Sequence, residues 1–178
     1  DRARLMRLHG INRDVFNRYQ AGGSWYYEVV APGFKYNLTD IAAAIGLHQL
    51  ARLDEMRSKR AEIAQIYDAE FGDLPVILPA KASGTDVHAW HLYPIRLATA
   101  RMDRDGLIDR LRAAQIGSSV HYVPLHMHPY WRDRYSLTEE QFPVSTAAYR
   151  AMVSLPIYSR MTESDVGRVT SAVREALG

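Results

Sequence analysis

Gly33-Phe-Lys-Tyr-Asn37-Leu-Thr-Asp-Ile-Ala-Ala-Ala-Ile-Gly-Leu-His-Gln-Leu50, continued by a charged run to Phe71-Gly72, decides how this chain is read. Asn37 is a good N-cap and Asp40 follows three residues later in the first turn. Ile41, Ala44, Ile45, Leu50, Leu53, Ile63, Ile66 and Tyr67 then recur mainly at helical spacing. The spacing predicts one helix from Asn37 to Phe71. At about 1.5 Å per residue it would be roughly 50 Å long, wider than a small domain, so it is expected to link two bodies of structure. Its first half is small and apolar, fit for close packing, whereas Arg52, Asp54, Glu55, Arg57, Lys59, Arg60 and Glu62 suit solvent.

Outward from the helix, Arg2 to Leu8 reads as a helix end closed by Gly10. Arg18 to Ser24 reads as a polar turn, and Trp25 to Val30 as a strand or extended arm ending at Pro32-Gly33. Beyond Gly72, strands are expected at Val76 to Leu78, His88 to Leu97, Ser119 to Pro124 and Val153 to Ile157. In the second of these, His91, Tyr93, Ile95 and Leu97 alternate as a buried face, and Pro94 demands an edge or a bulge. Asp103 caps a helix that stops at Gly117, Phe142-Pro143 opens a short one, and Thr162 with Asp165 forms a capping box for the last. Between Pro124 and Phe142 the reading is a long loop rich in His, Tyr and Trp. This mixture implies an α/β class, of the α+β kind: a small sheet with helices packed on one face, joined to the linking helix. The boundary is expected near residue 50, giving parts 1–50 and 51–178.

The chain has 178 residues, 47% of them apolar, enough for a substantial core. Its net charge of +2 gives no reason to invoke nucleic acid. With no cysteine, disulfides and thiolate metal sites are excluded, and a reducing, cytoplasmic setting is expected. No apolar run approaches the roughly 18 residues of a membrane span, and Asp1-Arg-Ala-Arg does not read as a signal peptide.

The Gly33 to Leu50 stretch resembles the signature that follows the cofactor lysine in the DegT/StrS family of pyridoxal-phosphate-dependent nucleotide-sugar aminotransferases. His9-Gly-Ile-Asn-Arg13, His88-Ala-Trp-His-Leu-Tyr93, His121-Tyr-Val-Pro-Leu-His126 and Leu155-Pro-Ile-Tyr158 agree with it in the same order. Family members are about twice as long, so the resemblance implies the C-terminal portion of a pyridoxal-phosphate-dependent transferase fold. Residues 1–50 would then be the remnant of the large cofactor domain.

The same resemblance places the Schiff-base lysine upstream of His9. Lys35, Lys59 and Lys81, the only lysines present, are read as surface residues. Asn37 reads as an N-cap, and its amide NH2 would remain free to donate to an anion at a helix start. In the family the matching asparagine contacts the cofactor phosphate of the neighbouring subunit, which implies a homodimer with shared active sites. Arg13 reads either as a bidentate phosphate ligand or as a surface residue. His121, Tyr122 and His126 are candidates for the sugar-nucleotide pocket, since imidazole and phenol bond hydroxyls and stack on rings. No metal site is assigned, because neither histidine group has a carboxylate placed to join it. The implied substrates are a keto-sugar nucleotide and an amino-acid donor. A family dehydratase, or a non-catalytic domain binding a sugar nucleotide or a subunit, remains open at this point.

Overall fold

A computed structural model describes residues 1–12 and 26–178, which form two compact units, 1–52 and 53–178. The polar turn expected from Arg18 to Ser24, together with Arg13 and Trp25, lies outside the described residues.

In the first unit, α1 (Arg2–Met6) leads into a turn where Gly10 has φ 71°. The next residues run antiparallel to two later segments, with Leu8 bridging Lys35 and Ile11 bridging Val29. Backbone bonds from His9 N to Phe34 O (2.9 Å) and from Val30 N to Gly10 O (2.9 Å) hold the crossing. Asn12 locks it further: its Nδ2 donates to Glu28 Oε2 (3.0 Å) and its Oδ1 accepts from Glu28 N (3.1 Å). The segment before Pro32 is therefore an extended arm held at single bridges.

The helix expected as one piece is two. Helix α2 spans Asp40–Ala51 and α3 spans Leu53–Phe71, and Arg52, at φ −103° and ψ 4°, leaves the helical region. Neither glycine nor proline stands there, so local propensity does not mark the break. The cap also moves. Thr39, not Asn37, is the N-cap, and its side chain accepts from Ala42 N at 3.3 Å. Asn37 lies two residues before the cap. Helix α2 buries none of its residues within the chain.

The second unit is a three-stranded antiparallel sheet in the order β1 (Val76–Ile77), β2 (Tyr93–Leu97), β3 (Met152–Leu155). Tyr93 pairs with Leu155 and Ile95 with Val153, so one face carries the apolar set. That face shares its core with Ile63, Tyr67 and Phe71 of α3, Leu107 and Leu111 of α4 (Arg104–Ala113), and Val166, Val169 and Val173 of α7 (Glu163–Leu177). The valines sit three and four residues apart, as one buried helical stripe requires.

Although β2 is central, Pro94 fits. Its partner Ser154 exchanges both backbone bonds with Ser119 on the far side, at 3.2 and 2.7 Å. The Pro94–Ser154 pair is thus a position without mutual ladder bonds, and the missing N–H points past the end of β1, which pairs only with Arg96 and Leu97.

Two phenols pin the core. Tyr67 OH donates to Pro156 O (2.8 Å), and Tyr93 OH donates to Asp68 Oδ1 (2.7 Å), whose other oxygen meets Lys81 Nζ at 3.3 Å. Burial, the larger cause, pushes both phenols far above their ordinary range; Tyr158 adds to the effect for Tyr67 and Asp68 for Tyr93.

Several local expectations are corrected. The second strand begins at Tyr93, leaving His91 exposed ahead of it. The strand expected from Ser119 to Pro124 is a single bridge, Ser119 to Ser154. The long loop contains α5 (Pro129–Tyr135), and α6 (Pro143–Ala151) follows. Helix α4 stops before Gly117: Gln115 takes the left-handed position at φ 58°, with Gln115 N bonded to Arg112 O (2.9 Å) and Ile116 N to Leu111 O (2.8 Å). Those two bonds make a Schellman motif with glutamine where glycine is usual. The Asp103 cap (2.8 Å to Gly106 N) and the Thr162–Asp165 box stand as expected.

Candidate functional site

The bridge between Ser119 and Ser154 lays the chain leading to His121 along the outer edge of β3. Ser154 lies on the opposite face of β3 from Val153, and its hydroxyl is 3.0 Å from His121 Nδ1. This contact occupies one ring nitrogen and leaves Nε2 as the group the imidazole can offer a ligand. Beside it opens a cleft of about 230 Å³, lined by His91, Gly117, Ser118, Ser119, His121 and Ser154 above apolar residues of β3 and its continuation. Two imidazoles and three hydroxyls converge here with no carboxylate or guanidinium among the lining residues. Such a surface donates and accepts hydrogen bonds without a fixed charge, which suits a hydroxyl-rich ligand.

The three candidates in this segment separate. His121 lines the cleft. Tyr122 is 73% exposed and sets its ring edge-on to His121, with centroids 4.9 Å apart, but does not line the cleft. His126 is withdrawn from it: the residue is 5% exposed, its Nε2 is 3.0 Å from Thr146 Oγ1, and its ring stacks on Phe142 at 4.6 Å. It ties the turn before α5 to Thr146 of α6. The sequence grouped His121 and His126 because they are five residues apart; a 3₁₀ turn at Leu125–Met127 sends the second inward.

His91 lines the cleft although the sequence did not make it a candidate. The period-two pattern assigned it to the buried face with Tyr93, but the chain is not yet a strand there, and the residue lines the cleft instead. His88 is structural. Its Nδ1 accepts from Trp90 N (2.9 Å), and its ring stacks on the indole at 4.0 Å. Among the described residues no group of three or more His, Cys, Asp or Glu is placed to hold a metal ion.

In the first unit, Asn37 is exposed, and its carboxamide has no intramolecular partner among the described residues. That freedom fits a phosphate donor beside the start of α2. The lysines do not fit a covalent cofactor link. Lys59 pairs with Glu62 (3.1 Å), Lys81 with Asp68 (3.3 Å), and Lys35 is exposed on a backbone bridge. Arg13 lies outside the described residues. No helix among the described residues is long and apolar enough to cross a membrane.

Comparison with known proteins agrees with this architecture. The chain is 43% identical over 177 residues to the uncharacterized protein MJ1066 of Methanocaldococcus jannaschii, covering 98% of this chain and 46% of that one. It is 41% identical over 178 residues to the spore coat polysaccharide biosynthesis protein SpsC of Bacillus subtilis, with the same two coverages. Among solved structures, DesV of S. venezuelae, determined with a ketimine intermediate, superposes with a TM-score of 0.78 at 30% identity, over 98% of this chain and 43% of DesV. The chain thus spans under half the length of these relatives, and it matches the C-terminal part of the pyridoxal-phosphate-dependent sugar aminotransferases. With a family model matched over residues 1–174, the chain belongs to the DegT/DnrJ/EryC1/StrS aminotransferase family.

Proposed function

We propose that this chain is the C-terminal portion of an aminotransferase that transfers an amino group from an amino-acid donor to a keto-sugar nucleotide, in the formation of an amino sugar for polysaccharide or related glycans. The observation that carries the reading is the cleft of His91, His121 and Ser154, lined by no carboxylate, lysine or guanidinium, in a chain of this family. Its imidazoles and hydroxyls bind and orient the sugar. Ser154 holds His121 by Nδ1, so Nε2 faces the ligand in a fixed direction. Tyr122 closes one side of that ring.

Pyridoxal phosphate, when bound, supplies the electron sink through which the amino group is moved. Asn37 would hold its phosphate, with Arg13 as a second candidate. The lysine comes from sequence outside this chain, since none of the three here is placed for the role. Asn37 serves the neighbouring subunit in a homodimer with shared sites. Helix α2, with Ile41 78% and Leu47 70% exposed, buries none of its residues within this chain, so its apolar side chains are covered by the rest of the complete protein or by a second subunit. A cytoplasmic setting is part of the proposal and accords with the absence of cysteine.

The test uses the complete protein carrying this chain, supplied with pyridoxal phosphate and glutamate. The expected result is formation of 2-oxoglutarate together with pyridoxamine phosphate, followed by return of the cofactor when a keto-sugar nucleotide is added. Loss of water from the sugar nucleotide with no amino transfer would instead make the protein a dehydratase.

A further inference from the structure

Among the described residues, four other than glycine take the left-handed region, and Trp90, at φ 46°, is the bulkiest of them. A side chain of that size makes the conformation costly, so it persists only where its surroundings hold it. Trp90 N donates to His88 Nδ1 at 2.9 Å, closing a turn across two residues, and the His88 imidazole lies on the indole with centroids 4.0 Å apart. The indole itself is buried, 9% exposed, with its ring 5.8 Å from that of Tyr93 in the core.

This turn decides where His91 goes. In an extended strand, side chains two apart share a face and those three apart lie on opposite faces. Carried back from Tyr93, regular alternation would place His91 on the core face and Trp90 on the other. The reverse is found. Trp90 joins Tyr93 in the core, the chain bends at His91, and His91 is exposed and lines the cleft together with Ser119 and His121. His88 is not among the residues that line that cleft. Its connection to the site runs through the turn alone.

We propose that His88 is a positioning residue for the sugar: by accepting the Trp90 N–H on Nδ1 and covering the indole, it holds the left-handed turn that presents His91 to the cleft. The proposal rests on the sugar-binding reading of the cleft above and adds a residue outside the site on which the site's geometry depends. The role requires Nδ1 unprotonated, with the ring hydrogen on Nε2. Asparagine can supply an equivalent acceptor, since its side-chain oxygen accepts from the backbone N–H two residues on, whereas alanine cannot.

The test follows amino transfer from glutamate by the complete protein carrying this chain, with UDP- and dTDP-linked 4-keto-6-deoxyglucose as acceptors, and records melting temperatures alongside. His91→Ala should raise KM for the better acceptor about fivefold, the worth of one hydrogen bond. His88→Ala should raise it by a similar factor and the double variant no further, because the two residues act through one contact. His88→Asn should return KM to the wild-type value although, without the ring stack, its melting temperature stays below that of the wild type. A His88→Ala protein with wild-type KM overturns the proposal. So do effects of His88→Ala and His91→Ala that multiply, or a His88→Asn protein whose KM stays as high as that of His88→Ala; in each of these cases the raised KM of His91→Ala leaves the sugar-binding reading standing. If His91→Ala itself leaves KM unchanged, that reading of the cleft falls and the positioning role with it.

Discussion

A Cβ placed on Gly33 would lie 2.1 Å from the backbone nitrogen of Gly10, and one placed on Gly10 would lie 1.9 Å from Ala31 O. The two glycines mark a crossing of two backbone segments with no room for a side chain on either. Gly10 also sits at φ 71°. Here the clashing atoms are backbone, which cannot swing aside. Gly33→Ala and Gly10→Ala should each destabilise residues 1–52 by about 1–3 kcal/mol, and Gly10→Ala more, since it adds the left-handed penalty to the overlap. Thermal melting followed by amide hydrogen exchange in Leu8 to Tyr36 checks this; an unchanged exchange pattern for Gly33→Ala would contradict the crossing.

His121 and His126 should respond to mutation in opposite ways. Thr146→Val leaves His126 buried without its hydroxyl partner, which should cost about 1–3 kcal/mol of stability and leave KM for the sugar nucleotide unchanged. His121→Ala should raise KM with little change in melting temperature. A Thr146→Val protein with wild-type stability and a raised KM would return His126 to the site.

Arg174 grips Asp73 by two bonds, Nη1 to Oδ1 at 2.9 Å and Nη2 to Oδ2 at 2.8 Å, tying α7 to the turn after α3. The hydrogen bond from Arg174 is the main reason that the Asp73 carboxyl is held below its usual range. A depressed folded pKa means that the stabilisation is present above the ordinary carboxylate value and is lost as pH falls through the folded one. Asp73→Asn should therefore have a flatter melting-temperature profile on the acid side and match the wild type more closely at low pH than at neutral pH. The gap should also narrow in high salt, because the pair is exposed. Identical profiles for the two proteins would mean that the pair contributes nothing measurable.

Asn37→Ala in the complete enzyme removes one phosphate donor, an effect of about 1 kcal/mol, so cofactor affinity should fall roughly fivefold while the subunit folds. The cap is Thr39, so helix α2 should be unaffected. Mixing this variant with one lacking the cofactor lysine tests the shared site. In the heterodimer one site carries both lesions and the other neither, so about half the wild-type activity per heterodimer should return. No gain over the Asn37→Ala homodimer would place Asn37 in its own subunit's site or in none.

Elements whose causes are local could be read directly from the residues. The Thr162–Asp165 box, the Asp103 cap and the valine stripe of α7 each depend on residues within a few positions of one another. The ordered motifs were enough to identify the family, since no single one had to carry the assignment. Features that depend on distant partners could not be read in that way. Pro94 can occupy a central strand only because Ser154 spends its ladder bonds on Ser119, 35 residues before it in the chain. His91 kept the alternation of Tyr93 and Ile95, yet it faces the cleft because the sheet begins two residues later. His126 looked equivalent to His121 until Thr146 and Phe142 drew it inside. A side chain's residue type and spacing set what it can do chemically, but whether it meets solvent, core or ligand depends on which segment packs against it, and sequence separation carries no record of that.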